Sequence, residues 1–215
     1  MTTATPRPVL PIKLYRHVVS GHSHRVQLML SLLELPFELL DVDLPAKAHK
    51  TPEFLALNPF GEVPVVQDGD VTLADSNAIL VYLAARYAAP GRWLPTDPLG
   101  AAQVQRWLSV AAGQIAYGPA TARVIQLFKL PIDPGPAVHR AHQLFQTMDL
   151  HLQLSDYLVG PAPSIADVAN YSYIAHAPEG HIALDAYPSL RAWLARMEAL
   201  PGFVPMLRSR IGLAA

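Results

Sequence analysis

Cysteine is absent from this chain of 215 residues. Its absence excludes disulfides, a cysteine nucleophile and thiolate metal sites, and it leaves the redox compartment undetermined. No apolar run in the sequence approaches the roughly 20 residues that a membrane-spanning helix requires. Charged side chains are also scarce, at 15% of residues with a formal net charge of −1. We therefore expect neither a nucleic acid nor an anionic membrane surface as a partner.

Hydrophobic residues are plentiful by contrast, at 51% of the chain. A chain of this length and composition can bury the core of one or two domains. Residues 1–11 are rich in threonine and proline and lack the apolar stretch of a signal peptide, so we interpret them as a frayed extension. Together these features predict a soluble, cytoplasmic protein.

The first half of the sequence predicts the order βαβαββα. Apolar and β-branched runs predict the strands, and apolar residues at helical spacing predict the helices. A helix between two strands implies that those strands pair in parallel. In this interpretation the first strand includes Val18 and Val19, and Ser20 ends it. The predicted strands are residues 12–19, 37–42, 63–66 and 71–73, and the predicted helices are one between Ser20 and Pro36 and residues 51–57 and 76–87.

The second half predicts a helical domain. Residues 88–98 contain the densest proline and glycine punctuation between two helical patterns, which indicates a linker. The linker separates a first domain, residues 1–87, from a second, residues 99–215. Ser164 and Asp167 form a capping-box variant, for which an N-cap of about 1 kcal/mol is a sufficient explanation. The predicted helical segments are residues 99–117, 120–128, 137–154, 164 onward, 188–200 and 202–208, with a break at Gly118–Pro119.

Residues 58–82, NPFGEVPVVQDGDVTLADSNAILVY, predict a turn, a β-hairpin and the start of a helix. If the Val63–Pro64 bond is cis, the backbone N–H and C=O at the strand start point outward, where an extended peptide can pair with them. The first helical turn, with the Ser76 hydroxyl, suits a carboxylate, and Asp75 suits an amine. A peptide with an α-amino acid at one end satisfies all of these groups, and γ-glutamyl-cysteinyl-glycine is such a peptide.

This succession of V-P, a β-hairpin and a D-S helix start resembles the glutathione-binding half of the cytosolic glutathione transferases, most closely their serine-type classes theta, phi and zeta. The resemblance extends over nearly the whole chain. It implies an α/β thioredoxin-like domain followed by an all-α domain that binds the second substrate. It also implies a detoxifying enzyme that adds the glutathione thiolate to small hydrophobic electrophiles, with glutathione as co-substrate, no metal, and a homodimer as the assembly.

Such chemistry requires a lowered pKa at the glutathione thiol, because only about 3% of an ordinary thiol is ionised at neutral pH. A hydroxyl donor and a helix N-terminus can lower it without a metal or a cysteine. Both are expected in the segment LYRHVVSGHSHRV. On the theta and zeta patterns the catalytic serine corresponds to Ser20, with Ser23 as the second candidate, although either could be only a helix N-cap. Tyr15 is a poorer candidate and is expected to pack within the strand.

The resemblance also gives candidates for the two other parts of the site. Counting back from Val63 on the theta pattern places His49 and Lys50 at the glycine end of glutathione, with plain solvation as the alternative. Arg25 is a weaker match whose role could be structural. The electrophile pocket is expected between the domains. Its candidates are Tyr117, Arg123 and Phe128, which surround the Gly118–Pro119 break, and core packing is their alternative role.

The residues raise two alternatives, a metal site and a non-catalytic role. His17, His22 and His24 lie close in sequence, but zinc needs a better-spaced set of three or four ligands, so we expect no metal site. A non-catalytic module of the same fold, which binds glutathione, a hydrophobic ligand or a protein partner, is the alternative function.

Among enzyme subtypes, the lack of cysteine excludes glutathionyl exchange of the omega type. The zeta isomerase carries Ser-Ser-Cys where this chain has Ser20-Gly21-His22, which puts that activity in doubt. Peroxidase and dehalogenase activities stay open. Phe60 stands where some classes insert an aromatic key into the neighbouring subunit, and local packing is the alternative.

Overall fold

The computed structural model describes residues 6–209 of the chain. Residues 1–5 of the predicted extension and residues 210–215 of the predicted second domain lie outside the described residues. The first half folds as β1 (Ile12–Arg16), α1 (Gly21–Leu32), β2 (Phe37–Asp41), α2 (Pro52–Leu57), β3 (Val65–Asp68), β4 (Val71–Ala74) and α3 (Ser76–Tyr87). A 3₁₀ turn, Ala48–Lys50, precedes α2.

The strands form one mixed sheet in the order β2-β1-β3-β4. β1 pairs with β2 in parallel, with Ile12 opposite Phe37, because α1 returns the chain to the same end of the sheet. β3 and β4 form an antiparallel hairpin. Its turn holds Gly69 at φ +58°, a left-handed conformation that glycine adopts without strain. This order confirms the predicted thioredoxin-like domain.

The second half is helical, as predicted. Its helices are α4 (Pro98–Val110), α5 (Thr121–Leu127), α6 (Gly135–Leu152), α7 (Ile165–Ala175) and α8 (Pro188–Glu198). Between α4 and α5 the chain winds as a π-helix through Ala111–Ala120, and Gly118 interrupts it with φ −108° and ψ −106°, next to a proline that has no N–H to donate. None of the helices within residues 6–209 has the length and apolar character needed to cross a membrane.

The predicted linker falls between α3, which ends at Tyr87, and α4, which begins at Pro98. The division of the chain into domains at this point stays a prediction. α1 contacts helices from both halves of the chain, α3 before the predicted linker and α7 after it. Gly21 lies so near the ring of Tyr173 on α7 that a Cβ there would come within 2.7 Å of Cζ. The start of α1 is therefore shaped by both halves of the chain.

The first strand is shorter than predicted. It ends at Arg16, which pairs with Asp41, the last residue of β2. Val18 and Val19 are not part of the strand, because its partner β2 ends at that point. Ser20 is accordingly not the end of a strand but the N-cap of α1.

The predicted helix at residues 202–208 is wrong, since residues 203–209 have no helical structure. Pro205 disfavours a helix here because it lacks an N–H and restricts the residue before it. The segment lies along α1 instead. Ser31 Oγ donates to the carbonyl of Gly202 at 2.6 Å, and His24 Nε2 lies 2.8 Å from the carbonyl oxygen of Val204.

The capping box at the start of α7 is present. The Asp167 carboxylate, which is fully buried, accepts from Ser164 N at 2.9 Å, Leu158 N at 2.8 Å and Trp193 Nε1 at 2.9 Å. One side chain thus joins the α6–α7 connection, the start of α7 and α8. The predicted N-cap accounts for only part of its contacts.

Candidate active site

A cleft of about 540 Å³ opens between the α2–β3 connection and the start of α3. Val63, Pro64, Asp75 and Ser76, all predicted to bind glutathione, line it together. The Val63–Pro64 bond is cis, and Val63 precedes Val65, the first paired residue of β3. The backbone groups of Val63 therefore lie outside the ladder of the sheet. The structure brings these residues together, and their roles in binding stay predictions.

Asp75 is the N-cap of α3 in an uncommon backbone conformation, with φ 68° and ψ 119°. A positive φ costs a non-glycine residue on the order of 1–3 kcal/mol and is concentrated at functional sites. Oδ1 accepts a hydrogen bond from Ala78 N at 2.8 Å, while the side chain stays exposed. The same carboxylate can therefore cap the helix and meet the amine of a ligand.

A buried cation lies beneath the start of α3. Arg25 on α1 is 1% exposed, and its Nη1 donates to Ser76 Oγ at 3.2 Å and to Asn77 Oδ1 at 2.9 Å. Its Nε and Nη2 have no hydrogen-bond partner among the described residues. Burial lowers the pKa of Arg25 to about 10, so the guanidinium is charged at neutral pH. The Ser76 end of the cleft therefore favours an anion.

His22 also lines the cleft, although the sequence did not indicate it as a residue that binds glutathione. Its ring lies edge-on to Tyr173, with centroids 5.1 Å apart, and its Nδ1 is 3.4 Å from Ser76 Oγ. Burial, together with the charge of Arg25, lowers the pKa of His22 to about 3, so the imidazole is neutral at physiological pH. Its place in the first turn of α1, two residues after Ser20, is the one signal that could have found it.

The two candidate serines differ in exposure. Ser20 is half-buried, and its Oγ accepts from Ser23 N at 3.2 Å. Ser23 is 1% exposed, and its Oγ accepts from His17 N at 3.3 Å. Because the Ser20 oxygen is an acceptor in its capping bond, the hydroxyl hydrogen is left to donate elsewhere. Ser20 is thus the more accessible donor, while Tyr15 donates to Gln67 within the sheet at 2.8 Å.

His49 and Lys50 stand beside the cleft rather than among its lining residues. Lys50 Nζ donates to the carbonyls of Phe60 at 3.0 Å and Gly61 at 2.8 Å, so it supports the turn that borders the cleft. The turn at Gly61 packs closely against the 3₁₀ turn that contains His49, since a Cβ on Gly61 would come within 2.7 Å of the His49 carbonyl oxygen. His49 Nδ1 is buried with no hydrogen-bond partner among the described residues. Their contact with the glycine end of glutathione stays a prediction.

The three candidates for the electrophile pocket have different environments. Tyr117 and Phe128 are 67% and 53% exposed, whereas Arg123 is 1% exposed. Arg123 forms a buried ion pair with Glu179 at 2.7 Å and donates from Nη1 to the carbonyl of Val19 at 2.8 Å. α5 therefore lies against the turn before α1, where the pocket was expected. The guanidinium itself is enclosed by protein, which does not fit a residue that lines an open pocket.

Sequence reasoning also missed Asn58 and Glu62, which line the cleft. Asn58 is 3% exposed, and it shapes the turn by donating to the Glu62 carbonyl at 2.9 Å and accepting from Phe60 N at 3.1 Å. The Asn-Pro signal indicated this turn but not its position in a cleft. Within residues 6–209, no group of three or more His, Cys, Asp or Glu residues is placed to hold a metal ion.

Comparison with known proteins gives matches to both halves of the chain. Residues 10–85 match the family model for the N-terminal domain of glutathione S-transferase, and residues 136–201 match that for its C-terminal domain. Glutathione S-transferase 3 of Zea mays is 36% identical over 205 residues, which cover 90% of this chain and 91% of the relative.

Solved structures give the same result. A glutathione S-transferase from Pseudomonas fluorescens has a TM-score of 0.86 and 36% identity, with 92% of this chain and 100% of that chain covered. A glutathione transferase homologue from Drosophila mojavensis, solved with bound glutathione, has a TM-score of 0.81 and 28% identity over 89% of each chain.

Proposed function

This chain belongs to the glutathione S-transferase family, and from that premise we propose that it adds the thiolate of glutathione to small hydrophobic electrophiles. One observation carries the proposal. The cleft at the start of α3 places the exposed carboxylate of Asp75 beside Ser76, which the buried Arg25 contacts from below. Opposite charges held side by side match the zwitterionic end of a γ-glutamyl peptide.

Glutathione is proposed to bind with its γ-glutamyl end at α3. Its carboxylate meets the Ser76 hydroxyl and the N-terminal amides of the helix, where the dipole and the charge of Arg25 both favour an anion. Its ammonium group meets Asp75. The cysteinyl backbone pairs with the free backbone groups of Val63, in the manner of an added strand.

The thiol is proposed to meet the turn before α1. Ser20 Oγ donates a hydrogen bond to the sulfur, and the N-terminus of α1 adds its dipole, so the thiolate is favoured over the thiol. A pKa lowered by about 2 units, or about 2.7 kcal/mol, makes the thiolate dominant at neutral pH. In substitution, the S–C bond forms while the leaving group departs with its electron pair. In conjugate addition, the S–C bond forms and the resulting carbanion takes a proton.

The assembly is proposed to be a homodimer. Phe60 is 79% exposed and Leu99 is 69% exposed, and a contact between two copies of the chain would remove such large apolar side chains from water. A serine-type class, a cytoplasmic location and a role in detoxification complete the proposal and rest on the family alone. No feature of the cleft favours the non-catalytic alternative.

The test compares Ser20→Ala with Ser23→Ala. With glutathione and an aryl halide activated toward substitution, Ser20→Ala should raise the pKa of the bound thiol, measured by thiolate absorbance, and lower kcat. The affinity for glutathione, measured by calorimetry, should stay close to wild type, because the γ-glutamyl site lies on α3. Survival of rate and thiolate absorbance in Ser20→Ala, with their loss in Ser23→Ala, would contradict the role of Ser20.

A further inference from the structure

A buried network that the chemistry above does not use lies behind the Ser20 turn. Its centre is Glu179, in the 3₁₀ turn Ala177–Gly180, which is 2% exposed. Its carboxylate oxygens accept from Arg123 Nε at 2.7 Å, His176 Nδ1 at 2.7 Å, Ser209 N at 3.0 Å and Ser209 Oγ at 2.8 Å. Burial alone would raise the pKa of Glu179, but these hydrogen bonds and the charge of Arg123 hold it below its ordinary value. The carboxylate therefore stays ionised.

Arg123 connects this network to the turn that carries the proposed catalytic serine. Its Nη1 donates at 2.8 Å to the carbonyl of Val19, the residue before Ser20. The bond is charge-assisted and partly buried, which makes it stronger than a neutral hydrogen bond at the surface. Arg123 also has little room to shift, because a Cβ on Gly180 would come within 2.7 Å of its backbone nitrogen.

We propose that Arg123 is a positioning residue for the thiolate chemistry. By fixing the Val19–Ser20 peptide, it holds the Ser20 hydroxyl in the direction of the glutathione sulfur, and Glu179 holds Arg123 in turn. The inference rests on the proposed role of Ser20. It assigns Arg123 to the activation of the glutathione thiol instead of to the electrophile pocket. Ser209 belongs to the same network, because it donates to Glu179.

A purely structural role is the competing explanation. Buried ion pairs contribute little net stability, because desolvation of both charges offsets their attraction, yet removing one partner is costly because the other charge is left unpaired. Arg123 Nη2 has no hydrogen-bond partner among the described residues, so the hydrogen-bonding capacity of the buried guanidinium is not fully used, which reduces its contribution to stability. A readout other than stability is needed to separate the two roles.

That readout is the pKa of the thiol of bound glutathione. Arg123→Lys keeps the charge but lacks the planar fork that reaches Glu179 and Val19 together. The double variant Arg123→Met with Glu179→Gln removes both charges, so that neither is left unpaired. Asp149→Asn is the matched control. Asp149 is a buried carboxylate of the same helical half, 8% exposed, that accepts from Leu190 N at 2.9 Å.

In both Arg123 variants we expect the thiol pKa to rise by about 1 unit, which is a tenfold change in the ionisation constant. Starting from a bound pKa of about 6.5, the thiolate fraction at pH 7 then falls from about three quarters to about one quarter, and kcat should fall roughly threefold to match. At about pH 5.5, where the bound thiol is largely protonated in every variant, the dissociation constant of glutathione should change less than about twofold, because the charged groups at the start of α3 are untouched. Asp149→Asn should lower the melting temperature without moving the thiol pKa, because at this buried position a neutral oxygen accepts more weakly than a carboxylate and the new amide N–H groups need partners.

Ser20→Ala, measured alongside, separates the two proposals. If it raises the thiol pKa while both Arg123 variants leave it at the wild-type value, the inference is overturned and the role of Ser20 stands. If Ser20→Ala leaves the thiol pKa unchanged, both fall together. An equal rise in Asp149→Asn also overturns the inference, since loss of stability would then explain the effect.

Discussion

The sharpest prediction concerns the carboxylate of Asp75. Asp75→Asn removes the negative charge but keeps a side-chain oxygen, so Asn can still accept the hydrogen bond from Ala78 N that caps α3. Asn also tolerates the φ of 68° at this position better than most residues. The fold should therefore be nearly unchanged, while the negative charge that is proposed to bind the ammonium group of glutathione is lost.

The expected cost follows from the kind of bond removed. A hydrogen bond between charged groups contributes about 1.5–3 kcal/mol, which corresponds to roughly ten- to a hundredfold in affinity. Asp75 is exposed in the free protein, so solvent screens its charge until the ligand covers it. We therefore expect the lower end of that range, about tenfold.

The assay is calorimetric titration of glutathione, combined with denaturant unfolding. Asp97→Asn is a matched control, because Asp97 is an exposed N-cap whose Oδ1 accepts from Gly100 N, also at 2.8 Å, at the start of α4. Both variants should keep wild-type stability, and only Asp75→Asn should weaken binding. Equal glutathione affinities in wild type and Asp75→Asn would refute the assignment and leave Asp75 as a helix cap.

Two further predictions concern stability and assembly. Burial, opposed by a hydrogen bond to Val204, lowers the pKa of His24 to about 4, so the unfolded state binds an extra proton below pH 6.5. The stability that His24 contributes, which is complete above pH 6.5, should fall by roughly 3 kcal/mol as the pH drops to 4. His24→Gln should remove that part of the pH dependence in denaturant titrations, and an unaltered pH dependence would contradict the prediction. Phe60→Ala should weaken the proposed dimer at least tenfold, or about 1.4 kcal/mol, with little change in monomer stability because Phe60 is 79% exposed. Sedimentation tests both points: a monomeric wild type refutes the dimer, and an unchanged dimer affinity in Phe60→Ala refutes only the aromatic key.

Within the candidate site, the residues that sequence could predict are those with a local signal. Asp75 and Ser76 open a helix after a hairpin, and the turn before Val63 is marked by proline and glycine. Arg25 is only a weak match, because the feature that matters, a buried guanidinium that donates to Ser76, joins residues 51 positions apart. For His22 the only local signal is its place two residues after Ser20, since the orientation of its ring depends on packing against Tyr173.

The sequence by itself determined the order of the elements, the hairpin, the helix caps and the break at Gly118–Pro119, since each depends on φ/ψ preferences and hydrogen bonds within a few residues. Tertiary structure decided the end of β1 at Arg16 and the course of residues 203–209 along α1. It also decided the burial of Arg123 against Glu179 and Val19, the latter 104 positions away. Those contacts depend on which charges and apolar faces the two halves bury together, and desolvation is set by three-dimensional neighbours that no local pattern specifies.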